Sequence, residues 1–289
     1  MITLTVTDSS PSPLSAETSF TLTVIPPPPP SMEVRGDFNR DGMADVVFQA
    51  SDGSLAAWLM NGLDMMAAGF LEPSNVGDLS YRLAASGDFN EDGQEDLVFQ
   101  RSDGTLAAWF MDGTRQVKIA LFDPSPEGPA WKVVAAADFD NDLKPDLVLQ
   151  SSDGRIEVWF MDGTRRTRRA LTEPSSGGAS WRVVGVNDLN SDGQPDLIFQ
   201  HSDGSLAAWY LDGVVARPGV KINPGHPGDS NLRVVSTADR NEDGKPDLLF
   251  QHSIDGSLKV WIMDGINLRR SAALNPASAG GNWQVGAPR

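Results

Sequence analysis

Asp88-Phe89-Asn90-Glu91-Asp92-Gly93-Gln94-Glu95-Asp96-Leu97-Val98-Phe99-Gln100 puts side-chain oxygens at positions one, three, five and nine of a tight loop, then runs directly into an apolar stretch. The pattern occurs five times, as Asp37/Asn39/Asp41/Asp45, Asp88/Asn90/Asp92/Asp96, Asp138/Asp140/Asp142/Asp146, Asp188/Asn190/Asp192/Asp196 and Asp239/Asn241/Asp243/Asp247. First aspartates are 51, 50, 50 and 51 residues apart. A period of that length marks a repeat array and overrides the one or two ordinary domains that 289 residues would otherwise imply.

Working outward from the loop, the third copy shows what one unit contains. Trp131 to Ala137 is a short β-rich run before the loop, and Leu147-Val148-Leu149-Gln150 is an apolar strand after it. A turn at Asp153-Gly154 leads to the alternating run Arg155 to Phe160, and a second turn at Asp162-Gly163 leads to a polar strand, Thr164 to Leu171. Asp-Gly is the dipeptide tight hairpins favour, because their central residues need positive φ. Four strands per unit therefore meander antiparallel, the second buried on both faces and the fourth an exposed edge. Such a sheet, repeated around an axis, is a propeller blade. The expected fold class is all-β, a five-bladed β-propeller of four-stranded antiparallel blades, preceded by a short β-hairpin segment.

The eight tryptophans fall into two slots: Trp58, Trp109, Trp159, Trp209 and Trp261 on third strands, and Trp131, Trp181 and Trp283 on first strands. Recurrence in a slot points to packing between blades. The expected repeats span about 31–80, 81–130, 131–180, 181–231 and 232–282, with a strand at 283–287 closing the ring. Before them, Ile2–Thr7 and Ser19–Ile25 alternate as strands within a segment 1–25. That segment resembles the last hairpin of immunoglobulin- or cadherin-like surface modules. Pro26 to Pro30 form a stiff spacer.

The net charge of −16 is local, because the loops alone carry sixteen carboxylates. Carboxylates crowded this way repel one another, and a hard cation relieves that repulsion. Aspartate at alternate positions aims successive carboxylates at one centre, and glycine at position six lets the backbone turn sharply. Gly42, Gly93, Gly193 and Gly244 provide it, whereas Leu143 stands there in copy three. That loop is expected to be the weakest or most distorted, with Asp140 as partial compensation. Up to five structural Ca2+ ions follow from this reading.

The loop followed by Leu-Val-Phe resembles the FG-GAP and VCBS repeats, whose integrin α-chain members are β-propellers with calcium at this position. The resemblance covers about 31–289 and implies the same ligand roles, position for position. Phe-Gln-x-Ser-Asp-Gly stands where integrins carry their Phe-Gly and Gly-Ala-Pro pieces, which points to a bacterial branch and away from integrin-type ligand binding.

Gln49, Gln100, Gln150, Gln200 and Gln251 share one position after the apolar strand, where an amide can satisfy buried backbone groups or face a sugar. His201, His226 and His252 share no catalytic pattern, no phosphate loop or helical zinc motif occurs, and the aspartates are absorbed by the loops. Glu127 and Glu157 are the carboxylates an enzyme reading would use. Arg165, Arg166, Arg168, Arg169, Arg269 and Arg270 stud fourth strands, as suits an edge that resists pairing. The acidic total argues against nucleic acid, no apolar run reaches the ~18 residues of a spanning helix, and there is no cysteine. The expected function is a non-catalytic, calcium-binding recognition or adhesion module, secreted or at the cell surface, with a glycan or a surface protein as partner. The alternative is a lectin using pockets between blades, and a structural spacer or glycan-active enzyme ranks below both.

Overall fold

The structure, a computed structural model, describes residues 3–7, 15–19, 35–126, 128–217 and 219–287. The chain divides into two compact units, Met1–Glu33 and Val34–Arg289. In the first, β1 (Thr3–Thr7) pairs antiparallel with β2 (Ser15–Ser19), in register from Thr3↔Ser19 to Thr7↔Ser15. The partner strand is thus the polar run before Phe20, in place of the alternating run expected over Ser19–Ile25. Register is a property of backbone pairing, which side-chain alternation specifies only where one face is buried. Phe20–Ile25 and the spacer Pro26–Pro30 lie outside the described residues.

The second unit is all-β, with no helix among the described residues. Copy one contributes β3 (Val46–Ala50), β4 (Ser54–Asn61) and β5 (Asp64–Asn75). Copy two contributes β6 (Tyr81–Gly87), β7 (Asp96–Arg101), β8 (Leu106–Asp112) and β9 (Arg115–Leu121). Copy three follows with β10 (Trp131–Ala137), β11 (Asp146–Ser151), β12 (Arg155–Asp162) and β13 (Arg165–Ser176). In copy four the strands are β14 (Trp181–Asn187), β15 (Asp196–His201), β16 (Leu206–Trp209), β17 (Leu211–Asp212), β18 (Val215–Ala216) and β19 (Val220–Lys221). Copy five has β20 (Leu232–Ala238), β21 (Asp247–His252), β22 (Ser257–Asp264) and β23 (Asn267–Ser278), and β24 (Trp283–Ala287) ends the described chain.

Within a copy, consecutive strands pair antiparallel, as in β10–β11–β12–β13. The second strands β3, β7, β11, β15 and β21 are buried at nearly every position, while β13 exposes most of its length. Copy one has no first strand of its own sequence among the described residues. Its place beside β3 is taken by β24, with Trp283↔Ala50 and Val285↔Phe48 in register. Copy four departs in another way: its outer strand is reduced to β18 and β19, and β16 pairs with β19 at only Ala207↔Lys221 and Ala208↔Val220.

The core lies between copies. Five apolar clusters each draw one sheet face from two successive copies, and one of them joins Leu249, Val260 and Ile262 of copy five to Val46, Phe48 and Met60 of copy one. Every tryptophan belongs to or packs against such a cluster, so the packing role read from their slots is what the fold uses them for. First strands also touch, β6 to β10, β10 to β14, β14 to β20, β20 to β24 and β24 to β6. Arg35 donates to the carbonyls of Val186 and Ala136, reaching from copy one to the first strands of copies four and three.

Each repeat glutamine spans two copies. Gln150 donates through Nε2 to the Trp181 carbonyl at 3.0 Å and accepts the Val183 N–H at 3.1 Å. Gln49, Gln100 and Gln200 do the same to the next copy's first strand, and Gln251 does it to Trp283 and Val285 of β24. These amides satisfy backbone groups between sheets. Gln150→Ala leaves a buried N–H and a carbonyl unpaired and is expected to cost about 2 kcal/mol. Differential scanning calorimetry should register this as a midpoint lower by about 5 °C.

At the outer edge the residues preceding five cis prolines, Glu72, Asp123, Glu173, Asn223 and Asn275, each form one parallel bridge to the fourth-strand hairpin of another copy. Nothing in the proline spacing of the sequence signalled that pairing.

Candidate metal centres

The first aspartate of each loop organises the loop backbone. Asp37 accepts N–H bonds from Asn39 and Asp41 on Oδ1, both at 3.2 Å, and from Gly42 on Oδ2 at 2.7 Å. The position-six bond recurs from Gly93, Leu143, Gly193 and Gly244 to Asp88, Asp138, Asp188 and Asp239. The fifth-position aspartates Asp41, Asp92, Asp142, Asp192 and Asp243 accept the N–H two residues on. Asparagine at position three accepts the N–H of position five, as Asn39, Asn90, Asn190 and Asn241 all do. Wrapping the chain this tightly requires two left-handed residues per loop. One is at position six, glycine in four copies and Leu143 in the third; the other, at position four, is a non-glycine near φ 60° in every copy: Arg40, Glu91, Asn141, Ser191 and Glu242.

The ninth-position aspartates have a second task that the sequence reading missed. Asp45, Asp96, Asp146, Asp196 and Asp247 are buried, with Oδ2 accepting the N–H of the second loop residue and Oδ1 the N–H of a third-strand residue. For Asp146 the donors are Phe139 and Met161, both at 2.9 Å. Met60, Met111, Leu211 and Met263 are the third-strand donors elsewhere. Burial pushes these carboxyls up, to about 6 for Asp45, Asp196 and Asp247 and about 7 for Asp96 and Asp146, against the pull of the two N–H donors and with added repulsion from the other loop aspartates. The clue lay in the sequence: position nine always opens an apolar strand, so its side chain enters the sheet.

Copy three brings Asp138, Asp140 and Asp146 together, with one oxygen from each lying within 4.8 Å of the others. Positions one, three, five and nine of all five loops carry a carboxylate or amide oxygen, the set a hard divalent cation takes. Leu143 adopts the left-handed conformation at φ 68°, is 83% exposed, and makes the same bond to Asp138 at 2.8 Å that glycine makes in the other copies. What remains is the intrinsic cost of a left-handed leucine. Leu143→Gly is expected to stabilise the chain by about 0.5–1 kcal/mol, seen as a rise of a few degrees in the thermal midpoint, because no packing is lost with the side chain.

Neighbouring loops touch. Arg40 donates to the carbonyls of Asp92 and Gly93 at 2.9 and 3.1 Å, and Lys144 pairs with Glu91 at 3.2 Å and with Asp162. Three of the four arginines of β13 are engaged within their own copy: Arg166 lies over Trp159, Arg168 over Phe160 and beside Asp140 at 3.3 Å, and Arg169 meets Glu157 at 3.6 Å. Glu157 also accepts the Trp159 indole N–H at 2.8 Å, and Glu127 lies outside the described residues.

The residues 88–149, 138–199 and 188–250, together more than half of the chain, match the family model of the FG-GAP-like repeat. This chain belongs to the FG-GAP-like repeat family. It is a β-propeller of FG-GAP repeats, with the oxygen-bearing loops carried by the repeat itself. No curated protein matches it. Solved structures similar to the FG-GAP chain include the computationally designed Ika8 protein, at 18% identity and TM-score 0.32 over 79% of this chain and 58% of that one. The Dos1 propeller is similar at 12% identity and TM-score 0.37 over 77% and 56%. The major Malassezia sympodialis allergen Mala s 1 is similar at 14% identity and TM-score 0.43 over 79% and 74%. The chain thus spans under two thirds of the first two.

One further feature of the FG-GAP sheets is a cleft of about 540 Å³ in copy four, lined by Trp181, Phe199, Ala207, Trp209, Gly219 and Lys221. The reduced outer strand leaves Trp209 half-buried there, whereas Trp58, Trp109, Trp159 and Trp261 are buried in the same slot. A smaller cleft of about 310 Å³ occupies the matching place in copy one, beside Trp58, Phe70 and Trp283.

Proposed function

We propose that the repeat unit is a closed five-bladed propeller whose loops bind calcium, and that it serves as a non-catalytic recognition module outside the cell. The observation that carries the calcium reading is the convergence of Asp138, Asp140 and Asp146 in a loop whose pattern recurs five times. Closure is supported by the pairing of β24 with β3, by the cluster joining copies five and one, and by Gln251 repeating on β24 what the other glutamines do. Calcium fits the charge: each ion would neutralise carboxylates that otherwise repel across an exposed loop. Extracellular sites of about 10⁻⁴–10⁻³ M suffice where calcium is millimolar. Calorimetric titration of the chain with calcium tests this, and the absence of binding heat would sink it.

The carbohydrate reading is favoured by the copy-four cleft, where the half-buried indoles of Trp181 and Trp209 offer flat apolar surface over the buried Phe199, and Ser205 and Lys221 stand at the lining. Sugars present such mixed faces, apolar on C–H and polar on O–H, and pockets of this size hold one or two rings. A glycan array is expected to give signals that Trp209→Ala removes. An array with no signal for the unaltered chain leaves the protein-binding module as the reading, to be sought by its partner.

A further inference from the structure

The second residue of the first strand is Arg82, Lys132, Arg182 or Arg233 in copies two to five, and Gln284 on β24. Backbone register makes the five positions equivalent, because each lies opposite a repeat glutamine: Arg82↔Gln100, Lys132↔Gln150, Arg182↔Gln200, Arg233↔Gln251 and Gln284↔Gln49. All five residues are exposed. The strands that carry them touch one another, from β6 through β10, β14 and β20 to β24, which touches β6 again. Four cations are therefore gathered where the first strands meet, at the starts of those strands, whereas the oxygen-bearing loops follow their other ends. Two clefts of about 570 and 410 Å³ adjoin Arg82, one reaching Gln284 and the other Lys132.

The chain has a net charge of −16, yet none of these four cations forms an ion pair among the described residues. The aspartates of this end lie in the surrounding turns and linkers and have other partners. Asp78 and Asp103 meet Arg101 at 3.3 and 3.2 Å, Asp153 meets Arg155 at 3.0 Å, Asp52 accepts the Ser54 N–H, and Asp203 and Asp255 lie beside His201 and His252. Two of the guanidinium groups are already held in place. Arg82 donates through Nη1 to the carbonyls of Leu79 and Tyr81 at 2.8 and 2.9 Å, and Arg233 through Nη1 to the matching carbonyls of Ser230 and Leu232. Nε and Nη2 of both have no partner among the described residues. Cations collected around one mouth raise the local potential, and a fixed guanidinium loses little freedom when it binds charged oxygens. We propose that this mouth binds a compact polyanion, a small ligand carrying several phosphate or sulfate groups, through Arg82, Lys132, Arg182 and Arg233. The ligand is compact because the cations are confined to the first strands, and an extended polyanion such as nucleic acid would have to cross the aspartate-bearing turns around them. The site uses no residue of the oxygen-bearing loops or of the copy-four cleft, so it stands apart from both readings above.

Calorimetric titration of the chain with sucrose octasulfate, and with tripolyphosphate in calcium-free buffer because phosphate sequesters that ion, should give saturable binding that weakens as salt is raised. Binding of one probe alone supports the site and names the group it prefers. Arg82→Gln combined with Arg182→Gln is expected to weaken binding about tenfold. Arg115→Gln combined with Arg165→Gln makes the same change of net charge at the outer edge, on β9 and β13, and should alter the affinity less than about twofold. All four side chains are exposed, and a thermal midpoint close to that of the unaltered chain verifies that each variant folds. No saturable binding of either probe would overturn the proposal. Equal losses in the two variants would assign the binding to net charge and overturn it as well. A single-stranded oligonucleotide that binds more tightly than both probes would make the occupant an extended polyanion, with the same consequence.

Discussion

Chelating calcium is expected to lower the thermal midpoint of the chain by about 15 °C or more, and readdition to restore it. At a free concentration tenfold above the dissociation constant, one site contributes about 1.4 kcal/mol. Five independent sites then contribute about 7 kcal/mol, at roughly 2–4 °C for each kcal/mol. The shift should grow with calcium concentration, because the stabilisation follows mass action. Scanning calorimetry in chelator and across a calcium series is the measurement. A midpoint indifferent to both would mean that the loops are held by their own N–H bonds alone, with the carboxylates facing solvent.

Replacing Asp146 by alanine is expected to destabilise the chain by about 2–5 kcal/mol even in chelator, since the buried N–H groups of Phe139 and Met161 would each lose their acceptor. Asp142→Ala is the contrast. That residue is exposed and accepts only the N–H of Lys144, so in chelator its loss should cost under about 1 kcal/mol, while in calcium it should cost the metal contribution as well. Urea denaturation of both variants with and without calcium gives the four numbers. If Asp146→Ala were silent in chelator, the ninth aspartate would be a ligand only, and the staple between loop and third strand would carry no weight.

Much of this was legible in the chain. The Asp-Gly turns, the apolar second strand and the two tryptophan slots are read from neighbours within a few residues, and turn chemistry and period-two alternation act over that range. The loop pattern could be read for the same reason, as Asp37 and Asp41 bond to N–H groups two to five residues away. Leu143 shows the limit of that reading. Its side chain says nothing of the backbone it adopts, and the loop's hydrogen bond to Asp138 goes with φ 68° there. The strand Ser15–Ser19 was missed because polar residues carry no alternation signal, and the broken outer strand of copy four left no mark in its tryptophan spacing.

The sequence by itself determined the repeat, the order of strands within it and the side-chain oxygens of each loop, because all three rest on contacts within about one period. Tertiary structure alone decided which groups those repeats hand to one another. Asp146 reaches fifteen residues to Met161, Gln251 reaches β24, and Arg240 meets Ala44 across 196 residues. Partners so far apart in the chain are chosen by how the sheets pack, and a buried donor or acceptor must be satisfied by whatever that packing brings beside it.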